Sequence, residues 1–267
     1  MKRLRRFALL SADAVRDGLR NRVGLFALGG ALLVGLFADR CTGVSGGTFV
    51  LNGRPYDLTD GAKLVGPVLY GLCALLLVWV AGFLACDSLA RPLSDGSAPL
   101  WLSRPVGRGT YALSRLAGCL GLGIGAGILV LLVVTALLNA RLGLGIAPAL
   151  LGLAVFAADA WVVAALAMTL ALVLPRVVAL AAITLGMQLV VVANLFHLVA
   201  DSSGGLLRAI ERFGPPLGTA LVYALSPWFS EGPAAAEWID PVFRLLVWGG
   251  GASALLVLLF RRQELPA

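Results

Sequence analysis

Few residues of this chain could do chemistry. Its single histidine, His197, rules out an H-E-x-x-H metalloprotease site and any metal site built from several histidines. A Ser/His dyad using His197 is formally possible, but no serine is placed for it, so a polar cap at a helix end is the preferred interpretation. Neither lysine, Lys2 or Lys63, follows a Gly-rich loop, so there is no Walker A phosphate cradle. We therefore expect no catalytic residue, no metal and no cofactor bound by this chain.

One acidic residue lies deep within an apolar stretch. Asp159 stands near the centre of "AVFAADAWVVAAL". It is either a proton or cation site, a buried carboxyl group held neutral, or a group bonded to Thr or Asn across a helix interface. A single site without a partner favours a structural role. The four cysteines, Cys41, Cys73, Cys86 and Cys119, are interpreted as small apolar residues that fill space.

The elements that must position these residues are membrane spans. Of the 267 residues, 60% are hydrophobic and only 13% are charged, which lies outside the range of soluble globular proteins. Apolar runs long enough to cross roughly 30 Å of hydrocarbon predict six helices. Their ranges are 23–38, 64–86, 116–138, 148–172, 177–200 and 242–260. The predicted fold class is all-α, a polytopic membrane protein in a single transmembrane domain.

The basic residues predict the orientation of these spans. If the N-terminus is cytoplasmic, the segments 1–22, 87–115, 175–176 and 261–267 lie inside and carry 14 of the 21 Lys and Arg residues. This distribution follows the positive-inside rule. Both termini should therefore be cytoplasmic, with residues 201–240 forming a large outer loop.

Three segments outside the spans carry local patterns. In residues 1–22, Phe7, Leu10, Ala14, Gly18 and Leu19 recur at roughly helical spacing. This segment forms either an amphipathic helix along the inner membrane surface or a basic flank that only fixes topology. Asn52-Gly53, between short β-prone runs, predicts a small hairpin in the first outer loop. Residues 218–229 predict an interfacial or re-entrant helix ended by Pro227, with Trp228 and Trp238 at headgroup level.

A glycine stripe opens the third span. It consists of Gly118, Gly121, Gly123, Gly125 and Gly127. A dinucleotide-binding G-x-G-x-x-G needs a preceding strand, and none is predicted here. The stripe therefore indicates close packing of helix backbones.

The segment between spans two and three, 87–115, is longer than a simple connection requires. Asp95-Gly96 predicts a turn, and "SAPLWL" (97–102) is a short amphipathic run that would bury Leu100, Trp101 and Leu102. Ser103-Arg104-Pro105 ends this run. The pattern predicts a short helix parallel to the membrane.

The same segment resembles the signature of ABC-2 type transporter permeases, acidic-x-G-T-x-x-x-L-L-S-x-P-V-S-R-x-x-Y-x-L-G-K. The matching residues are Gly96, Ser97, Leu100, Leu102, Ser103, Arg104, Pro105, Val106, Arg108, Tyr111, Leu113 and Arg115. Three positions depart from the family pattern: Pro92 and Pro99 stand where acidic residues are usual, and Arg115 replaces a lysine. The six-span layout, the basic N-terminus and the short basic tail are similar to that family too.

The resemblance implies a permease subunit of an ABC exporter in the cytoplasmic membrane of a bacterium or archaeon. Such a subunit forms a homodimer or pairs with a second permease, contacts membrane lipids, and binds a separate P-loop ATPase that carries ATP and Mg²⁺. No nucleic acid is expected as a partner. The ATPase-coupling residues implied are Asp95, Gly96, Ser97, Leu100, Trp101, Leu102, Arg104, Pro105, Arg108 and Arg115, with the three arginines fixing the loop against headgroups and the ATPase.

Two alternatives belong to other classes. An ion- or proton-coupled transporter would use Asp159. A membrane scaffold without transport would tolerate changes at both Asp159 and the 87–115 loop. The substrate is not readable from the sequence; the scarcity of polar residues in the spans hints at a lipidic or amphipathic cargo.

Overall fold

A computed structural model describes residues 2–20, 29, 43–45, 48–51, 54–94, 107–199, 205–229 and 232–262. Within these ranges, five helical stretches are long and apolar enough to cross a membrane: Val65–Leu93, Arg108–Ala140, Ile146–Val173, Arg176–Asn194 and Ala235–Arg262. They match the last five predicted spans, and they support a multi-pass membrane protein. The first predicted span, 23–38, lies outside the described residues apart from Gly29.

The long helices extend beyond the apolar runs that predicted them. They are α2 (Leu58–Ser94), α3 (Arg108–Leu142), α4 (Ile146–Val173), α5 (Arg176–Val199) and α8 (Ile239–Arg262), and they are preceded by α1 (Lys2–Arg20). Hydropathy marks only the part of a helix that lies in hydrocarbon, whereas backbone hydrogen bonding continues into the polar flanks. This explains why each end lies beyond the predicted one by up to eight residues, except at the C-terminus of α5.

Glycine and proline separate the consecutive helices. α3 ends at Gly143, which has a φ of 65° and donates its N–H to the carbonyl of Asn139 at 3.0 Å, a left-handed cap that glycine adopts without strain. α4 ends at Leu174, whose backbone is extended because Pro175 follows. α3, α4 and α5 are therefore joined by connections of only two or three residues.

α4 lies at the centre of the packed helices. It packs against α2, α3 and α8, and its buried residues occupy several faces of the helix. Phe156 and Met168 of α4 are fully buried. The hydroxyl of Tyr70 on α2 donates to the carbonyl of Ala149 at 2.8 Å, and Nε1 of Trp161 donates to Oγ of Ser253 on α8 at 3.2 Å. These contacts fix α4 between its neighbours.

The glycine stripe of α3 packs against three different helices. A Cβ at Gly118 would lie 2.5 Å from the carbonyl oxygen of Ser11 on α1, and one at Gly123 would lie 3.2 Å from Cβ of Ala81 on α2. One at Gly127 would overlap the ring of Phe156 on α4. The predicted packing role is confirmed at these positions. Gly121 and Gly125 have no such neighbour within 4 Å in the described part of the chain.

Residues before α2 form a small antiparallel sheet. Its strands are β1 (Gly43–Ser45), β2 (Thr48–Leu51) and β3 (Arg54–Asp57), in the order β1-β2-β3. Leu51 pairs with Arg54, so two residues connect β2 to β3, as the Asn-Gly pair predicted. The described part of the chain is therefore helical apart from this small sheet.

Short helices fill the segment before α8. They are α6 (Gly205–Phe213), α7 (Thr219–Leu225) and 3₁₀ turns at Ser226–Trp228 and Ala235–Trp238. The predicted short helix before Pro227 is confirmed. Trp228 is buried, donates from Nε1 to the carbonyl of Gly145 at 2.9 Å, and stands edge-on to Tyr70. Its indole N–H therefore has a partner inside the protein.

Candidate functional site

Polar contacts join five helices at one end of the molecule, which we call the α1 end. Arg115, in the second turn of α3, pairs with Asp17 of α1. Arg176, the first residue of α5, pairs with Asp87 of α2 at 2.6 Å. Nη1 of Arg108, the first residue of α3, donates to the carbonyl of Arg261 near the end of α8 at 3.3 Å. The α1 end therefore gathers described residues from each of the four segments that the charge pattern predicted to lie on one side of the membrane.

Arg115 and its two carboxylates form a cluster that we call the Arg115 clamp. Nη1 of Arg115 donates to Oδ2 of Asp17 at 2.7 Å, and Nη2 lies 3.6 Å from Oδ2 of Asp13. Arg115 is only 3% exposed. A buried guanidinium needs such partners because an unpaired charge away from water is costly. The clamp thus links α1 to the start of α3 across roughly one hundred residues of sequence.

Two aromatic side chains hold the guanidinium of Arg115 in place. Its centre lies 5.4 Å from the ring centroid of Tyr111, one turn earlier on α3, and Nε donates to the Tyr111 hydroxyl at 3.3 Å. The Tyr111 ring in turn stacks on Phe260 of α8 with centroids 5.8 Å apart. Cation–π contact and stacking hold the arginine in one orientation. The clamp therefore rests on α8 as well as on α3.

Small residues bring α1 close to α3. Besides Ser11, Cβ of Ala14 would lie 2.6 Å from a Cβ at Gly118, and one turn along α1 a Cβ at Gly18 would lie 2.5 Å from Leu122. Leu10 and Ala14 are buried in this seam, as their spacing predicted. Leu19 was predicted on the same face but is 61% exposed. α1 therefore keeps a second face, which includes Leu19, exposed.

The predicted coupling residues divide into two groups. Asp95, Gly96, Ser97, Leu100, Trp101, Leu102, Arg104 and Pro105 lie outside the described residues, so the predicted short helix is not described either. Arg108 and Arg115 are placed, and they contact different helices, α8 and α1. The Arg115 side chain is buried, and Asp13 and Asp17 of its own chain lie against its guanidinium. A role of these arginines against headgroups and the ATPase stays a prediction.

Asp13 and Asp17 were not singled out as site residues from the sequence. The available signal was indirect: Arg115 lies seven residues inside a helix that continues into an apolar span, where an arginine requires a counter-charge. Two carboxylates four residues apart on an amphipathic helix lie on one face and can supply it. The distance in sequence between α1 and α3 concealed this pairing.

Asp159, the candidate proton or cation site, lies inside the helix packing. It is 1% exposed on α4, and its Oδ1 atom has no hydrogen-bond partner among the described residues. Buried Thr and Asn side chains have their own acceptors: Thr169 Oγ1 donates to the carbonyl of Ala165 at 2.7 Å, and Asn194 Nδ2 to that of Leu217 at 2.9 Å. The interhelical bond from Thr or Asn to Asp159 that the sequence left open is not formed in the described part.

The described side chains include no group of three His, Cys, Asp or Glu placed to hold a metal ion. His197 falls in the last turn of α5.

Comparison with known proteins identifies no relative. No protein-family model matches the sequence, and no curated protein matches it.

Proposed function

We propose that this chain is the membrane permease subunit of an ATP-driven ABC exporter of the ABC-2 type. The observation that carries the proposal is the signature-like segment from Gly96 to Arg115, which connects α2 to α3 at the α1 end. A loop whose only task is connection needs far fewer residues. The segment is therefore assigned as the element that receives a mechanical stroke.

The Arg115 clamp supports this assignment. Arg115 is the last residue of the signature-like segment, and it is held by Asp13 and Asp17 of α1. A force applied to the segment would reach α1 and α3 together, since the clamp and the glycine seam join them. In our proposal, α1 and the start of α3 move as one body.

The energy would come from a partner. A separate P-loop ATPase would bind ATP and Mg²⁺ and dock on the 95–102 segment, while this chain forms a homodimer or pairs with a second permease. The α1 end would then face the cytoplasm of a bacterial or archaeal cell, with both termini inside, in agreement with the distribution of basic residues. The cargo proposed is lipidic or amphipathic.

Affinity purification of the tagged chain from its native membrane in mild detergent tests this function. We expect a stoichiometric P-loop ATPase to co-purify, and Gly96→Pro or Trp101→Glu to reduce its yield at least tenfold without lowering membrane insertion. Proline restricts the backbone of the predicted turn, and a charge at Trp101 opposes apolar docking. Unchanged co-purification in both variants would count against a docking role for the segment.

Asp159 supports one alternative, a secondary transporter coupled to protons or ions. Its buried carboxyl with an unpaired oxygen is the kind of group that such transporters use. Substitution Asp159→Asn distinguishes the two functions in proteoliposomes. For an ATP-driven exporter we expect transport to fall less than about threefold and thermal stability to be equal or higher, because the neutral amide is easier to bury. Abolished transport in an ATPase-free preparation would favour ion coupling.

A further inference from the structure

A cavity of about 380 Å³ lies between α2, α5 and α7. Leu72 and Leu75 line it from α2, Val191 from α5, and Leu221 and Val222 from α7. The described residues that line the cavity are all apolar. The proposed function makes no use of it.

Polar side chains next to the cavity are turned to other partners. The hydroxyl of Tyr70 on α2 donates to the carbonyl of Ala149 on α4, and Nδ2 of Asn194 on α5 donates to the carbonyl of Leu217. An apolar cavity holds no ordered water, because a buried water needs several polar partners. The lining in the described part therefore suits hydrocarbon and not an ion or a polar solute.

The cavity lies in the half of the membrane opposite to the α1 end. It follows α2 from Pro67 to Leu75, and Leu75 precedes Asp87 of the α1 end by about 18 Å along the helix. The stretch of α2 that lines it is about 12 Å long, close to the roughly 15 Å of hydrocarbon in one leaflet. Val68 and Leu72 also line it, and they are 54% and 56% exposed within a helix apolar enough to cross a membrane. The cavity is therefore continuous with the lipid-facing surface of α2.

We propose that this cavity binds one acyl chain of a phospholipid from the leaflet opposite to the α1 end. Lipid tails are as apolar as the lining side chains, so binding gains nothing from the hydrophobic effect. The gain comes from van der Waals contacts, which a lining loses when no atoms pack against it. The bound chain fills the space between α7, α2 and α5 and holds the three helices together.

The headgroup does not decide this binding, because the described lining contains no charged side chain. The inference does not depend on the proposed transport function, since it concerns binding by the chain in any phospholipid bilayer.

Photolabelling of the full chain in proteoliposomes tests the site. The probe is a phosphatidylcholine with a photoreactive diazirine in one acyl chain, and peptide mass spectrometry locates the labelled residues. Leu129 of α3 and Leu246 of α8 serve as references, because they are exposed on other spans and do not line the cavity. We expect Leu75 and Leu221 to be labelled about fivefold more than these references, because a chain packed on three sides stays in place.

Gly71→Phe places a ring in the cavity, and Gly125→Phe is the matched control. A Cβ at either glycine meets nothing within 4 Å in the described part of the chain, and Gly125 is exposed on α3 outside the cavity. We expect Gly71→Phe to lower the labelling of Leu75 and Leu221 about fivefold, to the level of the references, because the ring occupies the space of the acyl chain. The control should leave it unchanged. Val222→Phe fills the cavity from α7 and should give the same loss, which keeps the test decisive if Gly71→Phe does not fold.

Labelling of Leu75 and Leu221 no stronger than that of the references would overturn the proposal, and so would unchanged labelling in both cavity-filling variants. A phosphatidylglycerol probe with the same chains should label the same residues equally; a preference for one headgroup would contradict recognition of the acyl chain. A photoreactive amino acid in place of Leu72 distinguishes the occupants. An adduct with lipid supports the proposal, whereas a crosslink to a second copy of the chain or to residues 23–38 overturns it.

Discussion

Gly118→Val detaches α1 from α3. The valine Cβ would start 2.5 Å from the carbonyl oxygen of Ser11 and 2.6 Å from Cβ of Ala14, and backbone cannot move aside as a flexible side chain can. We expect a loss of about 1–3 kcal/mol, typical of overpacking, and faster tryptic cleavage after the arginines of α1. Both are measured on the purified protein in detergent, by thermal unfolding and by limited proteolysis.

Gly121→Val is the matched control, because Gly121 lies on the same helix and a Cβ there meets nothing within 4 Å in the described part of the chain. Gly121→Val changes helix propensity as Gly118→Val does, but it creates no steric conflict with α1. Comparable rates of proteolysis in the two variants would contradict the inference that close packing at Gly118 holds α1 against α3. If α1 also transmits the ATPase stroke, Gly118→Val should lower transport much more than Gly121→Val.

Removal of both carboxylates from the Arg115 clamp should have the second large effect. Asp13→Asn with Asp17→Asn leaves the guanidinium, 3% exposed, without the two anions that it contacts. We expect a loss of about 3 kcal/mol, since an uncompensated buried charge is costly. Asp17→Asn alone should cost less, because Asp13 at 3.6 Å remains. Thermal unfolding in detergent measures both.

A third substitution separates charge from packing. Arg115→Leu added to the double variant should restore part of the lost stability, because it removes the unpaired charge. A further, additive loss would show that the arginine acts through something other than its pairing with α1. Asp240→Asn is the control: its pair with Arg244 is at the surface, with Asp240 73% exposed, and we expect a change below about 0.5 kcal/mol.

The membrane helices were predictable because long apolar runs leave few alternatives. Asn52-Gly53 likewise predicted the β2–β3 connection, since two residues of that type favour one turn geometry. The hydrogen-bond partner of Trp228 was not predictable, since an indole with an apolar ring and one N–H fits the headgroup region and a buried carbonyl equally well. Only the tertiary position of Gly145 supplies that carbonyl.

The site was predictable only in part. Arg115 was recognised from a signature-like pattern, and Leu10 and Ala14 from helical spacing, because both signals are local. The carboxylates of Asp13 and Asp17 became its partners only when α1 folded back on α3, a contact that no local pattern encodes.

Coupling through the 95–102 segment is the central claim, and photo-crosslinking tests it most directly. A photoreactive amino acid replaces Trp101 in one variant and Ala235 in another; Ala235 is exposed and begins the turn before α8, whose far end lies at the α1 end. In native membranes we predict a crosslink from position 101 to a P-loop ATPase and none from position 235. Absence of any ATPase crosslink from position 101, with the chain inserted and active, would contradict ATP-driven coupling at this segment.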